Sequence, residues 1–273
     1  MIINIKDDFD LHKIMNSGQC FRVCDDGCGK YRFITGKKVL YVKECKGGSG
    51  NVREYDVSCP NDDWEGVWKN YFDMDTDYGK IRSKIPKDDS FLRKCADAGA
   101  GIRILNQDKW EMIVSFIISQ RKSIPAIRSC IEKLCTGFGE RISKDIYAFP
   151  TPEALYNASE KALGECGLGY RTPYIIDASS KVFLKEIDPE GMSELTDAEL
   201  FDELKTIKGV GDKVANCVML FGYHRIGRAP VDTWIAKVIE QKYNGMNPFE
   251  RYGSVAGIMQ QYMFYGSAAL KML

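Results

Sequence analysis

Histidine is nearly absent from this 273-residue chain, with only His12 and His224. That excludes a His-rich metal centre, and Ser-His-Asp or Cys-His catalysis would have to use one of those two rings. Net charge is also missing, since 38 Lys and Arg face 38 Asp and Glu. On that total alone, neither nucleic acid nor a membrane surface is the first expectation. No apolar run approaches the roughly 18 to 20 residues a transmembrane helix needs, so no membrane partner is expected. The opening MIINIKDDFD is acidic and has no apolar signal core. The ten cysteines are scattered along a chain too long to need disulfide staples. The expectation is a reduced, cytoplasmic protein (nucleoid-associated in a prokaryote). With 44% hydrophobic and 28% charged residues, disordered and fibrous classes are excluded.

The neutral total conceals a pattern. Residues 186–203 carry eight acids and no base. Residues 204–242 carry seven bases against three acids, and residues 121–144 carry six against two, so each is net +4. Solvated helix faces would produce the same runs.

Residues 1–72 read as β. KYRFITGKKVLYVKEC alternates around a turn at Gly36, and Gly47, Gly48, Ser49 and Gly50 mark a second turn before VREYDVSC. From about residue 88 the period becomes helical, with Phe91, Leu92 and Cys95 as a first set. Trp110, Ile113, Val114, Ile117 and Ile118 predict a buried helix. Ile127, Cys130, Ile131, Leu134, Cys135 and Phe138 predict a second, stopping at Gly137 and Gly139. Thr151-Pro152-Glu153 opens another helix, and Gly167–Gly169 marks a turn before a helix after Pro173. The expected class is α+β with segregated parts: a β-rich domain over 1–100 and a helical domain over 101–273.

Residues 197–223 carry the clearest motif. A helix capped near Thr196 or Asp197 runs through Leu200, Leu204 and Ile207. Gly209-Val210-Gly211 follows, then a second helix from Asp212. The two glycines permit positive φ on both sides of Val210, which plugs the space between the helices. Such a turn aims backbone N–H groups outward at a helix start, a phosphate cradle, with Lys208 adding charge. A plain αα-hairpin with a glycine turn is the alternative. Lys213, in the first turn of the second helix, is electrostatically out of place because that helix end is already positive. A neutral, buried lysine is what amine nucleophilic catalysis requires. Nineteen residues on, in GRAPVDTWIAKVI, Asp232 precedes an apolar-periodic helix as an N-cap that can also aim an oxygen into a cleft.

LxxIKGVGxKVAxC followed by PVDT resembles the helix–hairpin–helix glycosylase superfamily. Within it, Ser17-Gly18-Gln19-Cys20-Phe21-Arg22 resembles the SGQ-x-FRW run of 8-oxoguanine DNA glycosylases. Ser115–Ser119, Gly167–Arg171 and Gln260 with Phe264 resemble further stretches of that family in the same order. The resemblance implies an N-terminal antiparallel (TBP-like) sheet domain and a two-lobed all-helical glycosylase domain. It implies double-stranded DNA containing oxidised guanine as partner, and a monomer. By it, Lys213 attacks C1′ of the damaged nucleotide, and Asp232 stabilises the charge that develops on the sugar. The Gly18 carbonyl reads the N7–H of the oxidised base, Cys217 and Phe264 sandwich the base, and Gln260 meets its Watson–Crick edge. Tyr170 wedges into the duplex, Arg171 reaches toward the opposite base, and Gly209, Val210 and Gly211 grip phosphate. Cys217 and Phe264 as plain core residues, and Asp232 as a plain cap, remain the alternatives.

Departures from the family matter. Gln120-Arg121-Lys122-Ser123 replaces an Asn-rich run, with Arg121 and Lys122 facing DNA, to fill the vacated space or clamp phosphate. Ala126 replaces a second opposite-base arginine, and Trp234 replaces a histidine on the phosphate side. Opposite-base selectivity is therefore expected to be weaker than in the animal enzymes. No cysteine follows Cys217, which excludes the C-terminal four-cysteine iron–sulfur loop of endonuclease III and adenine glycosylases. Cys20, Cys24 and Cys28 are not expected to bind metal. No cofactor is expected to be required, and the resemblance implies a structural cation at the hairpin loop carbonyls. The rivals are a monofunctional alkylpurine DNA glycosylase, which lacks the lysine, and a non-catalytic DNA-binding module.

Overall fold

The computed structural model describes residues 1–45 and 52–272; the expected turn at Gly47–Gly50 lies outside them. The described chain divides into two compact units, and neither is continuous in sequence. Unit 1 comprises 1–33, 40–106 and 224–273; unit 2 comprises 34–39 and 107–223. Residues 224–273 thus belong with the N-terminal segments, a grouping that the linear division at residue 100 does not contain.

Unit 1 begins with β1 (Ile2–Ile5), α1 (Leu11–Asn16), β2 (Cys24–Asp25), β3 (Lys30–Thr35), β4 (Lys38–Glu44) and β5 (Arg53–Val57). The sheet order is β1-β5-β4-β3-β2, and β1 with β5, β5 with β4, and β3 with β2 pair antiparallel. Leu40 and Val42 alternate inward on β4, and Gly36 takes φ +52° at the turn before it. Residues 61–71 are helical rather than β: α2 (Asn61–Asp63), a wider π-helical turn at Trp64–Trp68, and α3 (Lys69–Tyr71). Their spacing places Trp64, Trp68, Tyr71 and Phe72 in the sheet's core. Phe72 meets Phe33 edge-on at 4.9 Å and Phe9 at 5.2 Å, a preferred aromatic geometry. α4 (Tyr78–Ser83) and α5 (Ser90–Ala98) follow.

Unit 2 holds α6 (Lys109–Ser119), α7 (Ile124–Phe138), the hairpin β6 (Arg141–Ser143) and β7 (Ile146–Tyr147), α8 (Pro152–Tyr156) and α9 (Glu160–Glu165). It continues with α10 (Thr172–Phe183), α11 (Asp197–Lys205) and α12 (Asp212–Phe221). The small β6–β7 hairpin interrupts a region expected to be all helical. α6 is buried on every face, since Met112, Ser115 and Phe116 are covered along with the expected stripe. α7 runs through Gly137 and stops at Gly139, where a Cβ would fall 2.0 Å from the Ala148 carbonyl oxygen.

The chain returns to unit 1 with α13 (Thr233–Tyr243) and α14 (Ala256–Ala269). α14 packs on α5 so closely that a Cβ on Gly266 would lie 2.4 Å from Cys95 Cα. A buried cation ties this unit's separate segments. Arg103 is fully buried, donating to the Asp8 and Asp73 carbonyls and to Asp7 Oδ2 at 2.9 Å, over the Tyr78 ring. A buried guanidinium persists only when its donors are satisfied in this way.

Candidate active site

Within unit 2, Thr196 caps α11 through a reciprocal capping box with Glu199, and Leu200, Leu204 and Ile207 are buried. Val210 is buried and donates to the Ile207 carbonyl at 3.0 Å. Only one of the two glycines takes positive φ. Gly209 sits at φ +83° with the Tyr174 ring 2.3 Å from where a Cβ would be. Gly211 is extended at φ −98° and ψ −178°, and caps α12 without a side chain. Helical sterics need only one reversal here; the second glycine keeps the helix start bare.

Lys213 is the second residue of α12 and is half-buried. Its Nζ lies 5.4 Å from the Phe116 ring centroid, and Phe116 stacks on Phe221 at 5.4 Å. The amine is thus held over an aromatic face. Cys217 follows one turn later and is buried. Lys208 is exposed, and its backbone N–H donates to Asp177 Oδ2 at 2.8 Å.

A second loop joins the hairpin through α6. Gln120 closes that helix, and its Nε2 donates to the carbonyls of Gly209 and Ile117, each at 3.1 Å. Arg121 follows with φ +51° and is exposed. Lys122 is half-buried and donates from Nζ to the Gly167 carbonyl at 2.7 Å. Tyr170 is 51% exposed. Arg171, which the resemblance directs toward the opposite base, is 5% exposed. Its guanidinium donates to the Gln120 and Leu168 carbonyls and lies 4.3 Å from the Tyr170 ring centroid. The supports Phe116, Gln120, Tyr174 and Asp177 had no assigned role in the sequence reading. One signal was available, a glutamine ending an otherwise apolar helix.

Within unit 1, Asp232 caps α13, with Oδ1 accepting from Ile235 N–H at 2.8 Å. Trp234 is half-buried and donates from Nε1 to Ser267 Oγ at 2.9 Å. On α14, Gln260 is buried and accepts from Gln261 Nε2 at 3.0 Å, and Phe264 is half-buried one turn on. Gly18 takes φ +75° between buried Ser17 and Gln19. Gln19 holds that turn by donating to Ser17 Oγ and the Arg103 carbonyl, and by accepting from Leu105 N–H, each at 2.8 Å. A positive φ turns the Gly18 peptide away from the regular course of the chain.

Burial pushes the Cys130 and Cys166 thiols up, and Cys95 to about 12, so none of the three is a thiolate nucleophile. No group of three or more His, Cys, Asp or Glu able to hold a metal occurs among the described residues. No helix among them is long and apolar enough to cross a membrane.

Residues 1–113 match the 8-oxoguanine DNA glycosylase N-terminal domain, and residues 114–258 match the HhH-GPD superfamily of base excision DNA repair proteins. The chain is 30% identical to the N-glycosylase/DNA lyase of Saccharomyces cerevisiae, over 87% of this chain and 69% of that one. A structure of MBOgg1 with a low-affinity DNA ligand superposes with TM-score 0.90 and 37% identity, covering 99% of this chain and 96% of that one. The Clostridium acetobutylicum 8-oxoguanine glycosylase/lyase, solved with double-stranded DNA containing cytosine opposite 8-oxoguanine, gives TM-score 0.87 at 35% identity, covering 99% and 98%. By sequence and by fold, the chain belongs to the 8-oxoguanine DNA glycosylase family within the HhH-GPD superfamily of base excision repair proteins.

Proposed function

We propose that this chain is a bifunctional DNA N-glycosylase and AP lyase that excises 8-oxoguanine from double-stranded DNA and then nicks the abasic strand. The observation that carries the reading is Lys213, held over an aromatic ring at the start of the helix that the Gly209–Gly211 hairpin opens. A phosphate grip and an amine then share one element, in a chain of this family.

The target base must leave the stack before C1′ can be reached. The Lys213 amine then forms a bond to C1′ while the glycosidic C–N bond breaks, and the base departs with that electron pair and takes up a proton. Opening of the sugar ring gives the protonated Schiff base. Loss of a C2′ proton then expels the 3′ phosphate by β-elimination. Asp232 is assigned stabilisation of the positive charge on the sugar, alongside its capping bond. Recognition of the base is assigned to Gly18, Cys217, Gln260 and Phe264, with Trp234 on the phosphate side. The duplex is assigned to the hairpin, Tyr170, Arg171, Arg121 and Lys122. The enzyme acts as a monomer on DNA in the cytoplasm.

No step requires a cofactor. The resemblance places a structural cation at the hairpin loop carbonyls; three of these each accept one protein donor, which leaves a second lone pair on each. Thr206 accepts from the Lys181 ammonium, Ile207 from Val210 N–H and Gly209 from the Gln120 amide.

Borohydride reduction on a duplex containing 8-oxoguanine tests the reading. Wild type is expected to give a covalent adduct, and Lys213→Gln to give none. Base release without an adduct or a nick would favour the monofunctional alkylpurine rival; binding without base release would favour the non-catalytic module.

A further inference from the structure

We propose that Asp177 is a positioning residue for the phosphate grip. Its carboxylate holds the Lys208 N–H inward, sets the hairpin on α10 and leaves the N–H groups at the start of α12 aimed at phosphate. The inference rests on the assignment of the hairpin to the duplex made above.

α10 presents one stripe of side chains to the hairpin loop. Tyr174, Asp177 and Lys181 are spaced three and four residues apart, so they share a face of the helix. Each meets a different residue of the loop. The Tyr174 ring occupies the place where a side chain on Gly209 would stand. Asp177 Oδ2 accepts from the Lys208 N–H at 2.8 Å. Lys181 Nζ donates to the Thr206 carbonyl and lies 3.7 Å from Asp177 Oδ2. α10 also follows directly on Tyr170, whose ring meets Tyr174 edge-on at 6.1 Å. The helix thus carries an exposed aromatic at its head and the hairpin on its flank.

The backbone donors of the loop fall into two sets. Thr206, Ile207 and Val210 donate to the Glu203, Leu204 and Ile207 carbonyls, turns within the segment itself. Lys208 differs, because its N–H goes to a side chain 31 residues away in the chain. Beyond Gly209, the N–H groups of Gly211, Asp212 and Lys213 meet no protein acceptor among the described residues. That is the ordinary condition of a helix start whose N-cap has no side chain. Asp177 therefore takes one donor out of the cradle and fixes the direction of those that remain.

A carboxylate beneath an anion site repels the anion unless a cation balances it. Lys181 supplies that cation one turn further along α10. The charge of Asp177 is thus cancelled locally, and its contribution is the acceptor that it offers to Lys208.

The test is equilibrium binding to a duplex carrying a tetrahydrofuran abasic analogue, between about 50 and 200 mM salt. Asp177→Asn and Asp177→Leu both remove the charge and are close in size, but only asparagine keeps an oxygen acceptor for the Lys208 N–H. Asp177→Leu should weaken binding about tenfold. It should also make the dependence of log Kd on log salt shallower by about one, the loss of one phosphate contact. Asp177→Asn should bind as tightly as wild type with the same salt dependence. Single-turnover excision of 8-oxoguanine at saturating duplex should stay within about twofold of wild type in both, since the grip acts on binding and not on the chemical step. Each Kd is referred to the fraction of protein that binds at saturation, so partial unfolding of a variant does not imitate the effect. Wild-type affinity in Asp177→Leu overturns the proposal. Tighter binding in both variants overturns it too, because that marks plain relief of charge repulsion. A loss of affinity shared by both variants also overturns it, because the acceptor then makes no difference. If wild type binds the duplex and excises no 8-oxoguanine, the functional reading fails on its own, and the binding comparison still decides the role of Asp177.

Discussion

Gly209 and Gly211 look equivalent in the sequence, and the structure gives them different duties. Gly209 has positive φ and no room for a Cβ against Tyr174, so Gly209→Ala combines backbone strain with a clash. It is expected to destabilise the protein by about 2–4 kcal/mol, read by chemical denaturation. Gly211 has ordinary extended backbone, and a Cβ there meets nothing within 4 Å. Gly211→Ser supplies a favoured N-cap and should leave stability within about 0.5 kcal/mol of wild type. Any loss of duplex affinity in that variant then reports the backbone's approach to phosphate. The sequence pattern predicts a reversal at this turn, but which glycine makes it depends on Tyr174, a contact 35 residues away in the chain (209 − 174). The contacts of Arg171 with the Gln120 and Leu168 carbonyls likewise carry no signal in the motif that names it.

At the scale of elements, periodicity identified faces and not partners. The buried stripes of α6 and α7 were readable because a 3.6-residue period shows directly in the order of apolar residues. Residues 61–71 read as β by their strand-forming aromatic residues, although Trp64, Val67, Trp68 and Tyr71 carry helical spacing over about three turns. Tertiary packing of Trp64, Trp68 and Tyr71 on the sheet settles that segment. The contact of α5 with α14 had no sequence signal beyond a glycine inside a helix. There, Gly266 lets the α5 backbone come within the volume of a methyl group. Gly266→Ala gains helix propensity of about 1 kcal/mol in isolation. The overpacking against Cys95 costs about 1–3 kcal/mol and should dominate, so a net loss of stability is expected. A melting temperature above that of wild type would show that the helices separate without cost.

At the scale of the whole molecule, the sequence shows separate chemistries and the fold ties distant segments together. Asp7, Asp73, Thr76, Tyr78, Arg103 and His224 form one polar network in unit 1, drawn from four stretches of chain. His224, half of the chain's histidine, lies here, with Nε2 3.3 Å from Asp73 Oδ2. Burial raises the Asp73 carboxyl, but hydrogen bonds from His224, Tyr78 and Thr76 outweigh it and hold the group below its usual 3.8. A depressed carboxylate contributes stability above its unfolded value and loses that contribution as pH falls through the lower folded value. The stability gap between wild type and Asp73→Asn should therefore be full at neutral pH and close progressively below about pH 3.8. Comparing the two proteins cancels the titration of shared groups remote from Asp73, and placing both on a His224→Asn background removes the imidazole that touches it at 3.3 Å. Thermal melts from pH 7 downward measure the gap, and a difference that stays constant through the acid range would mean that Asp73 acts by shape and not by charge.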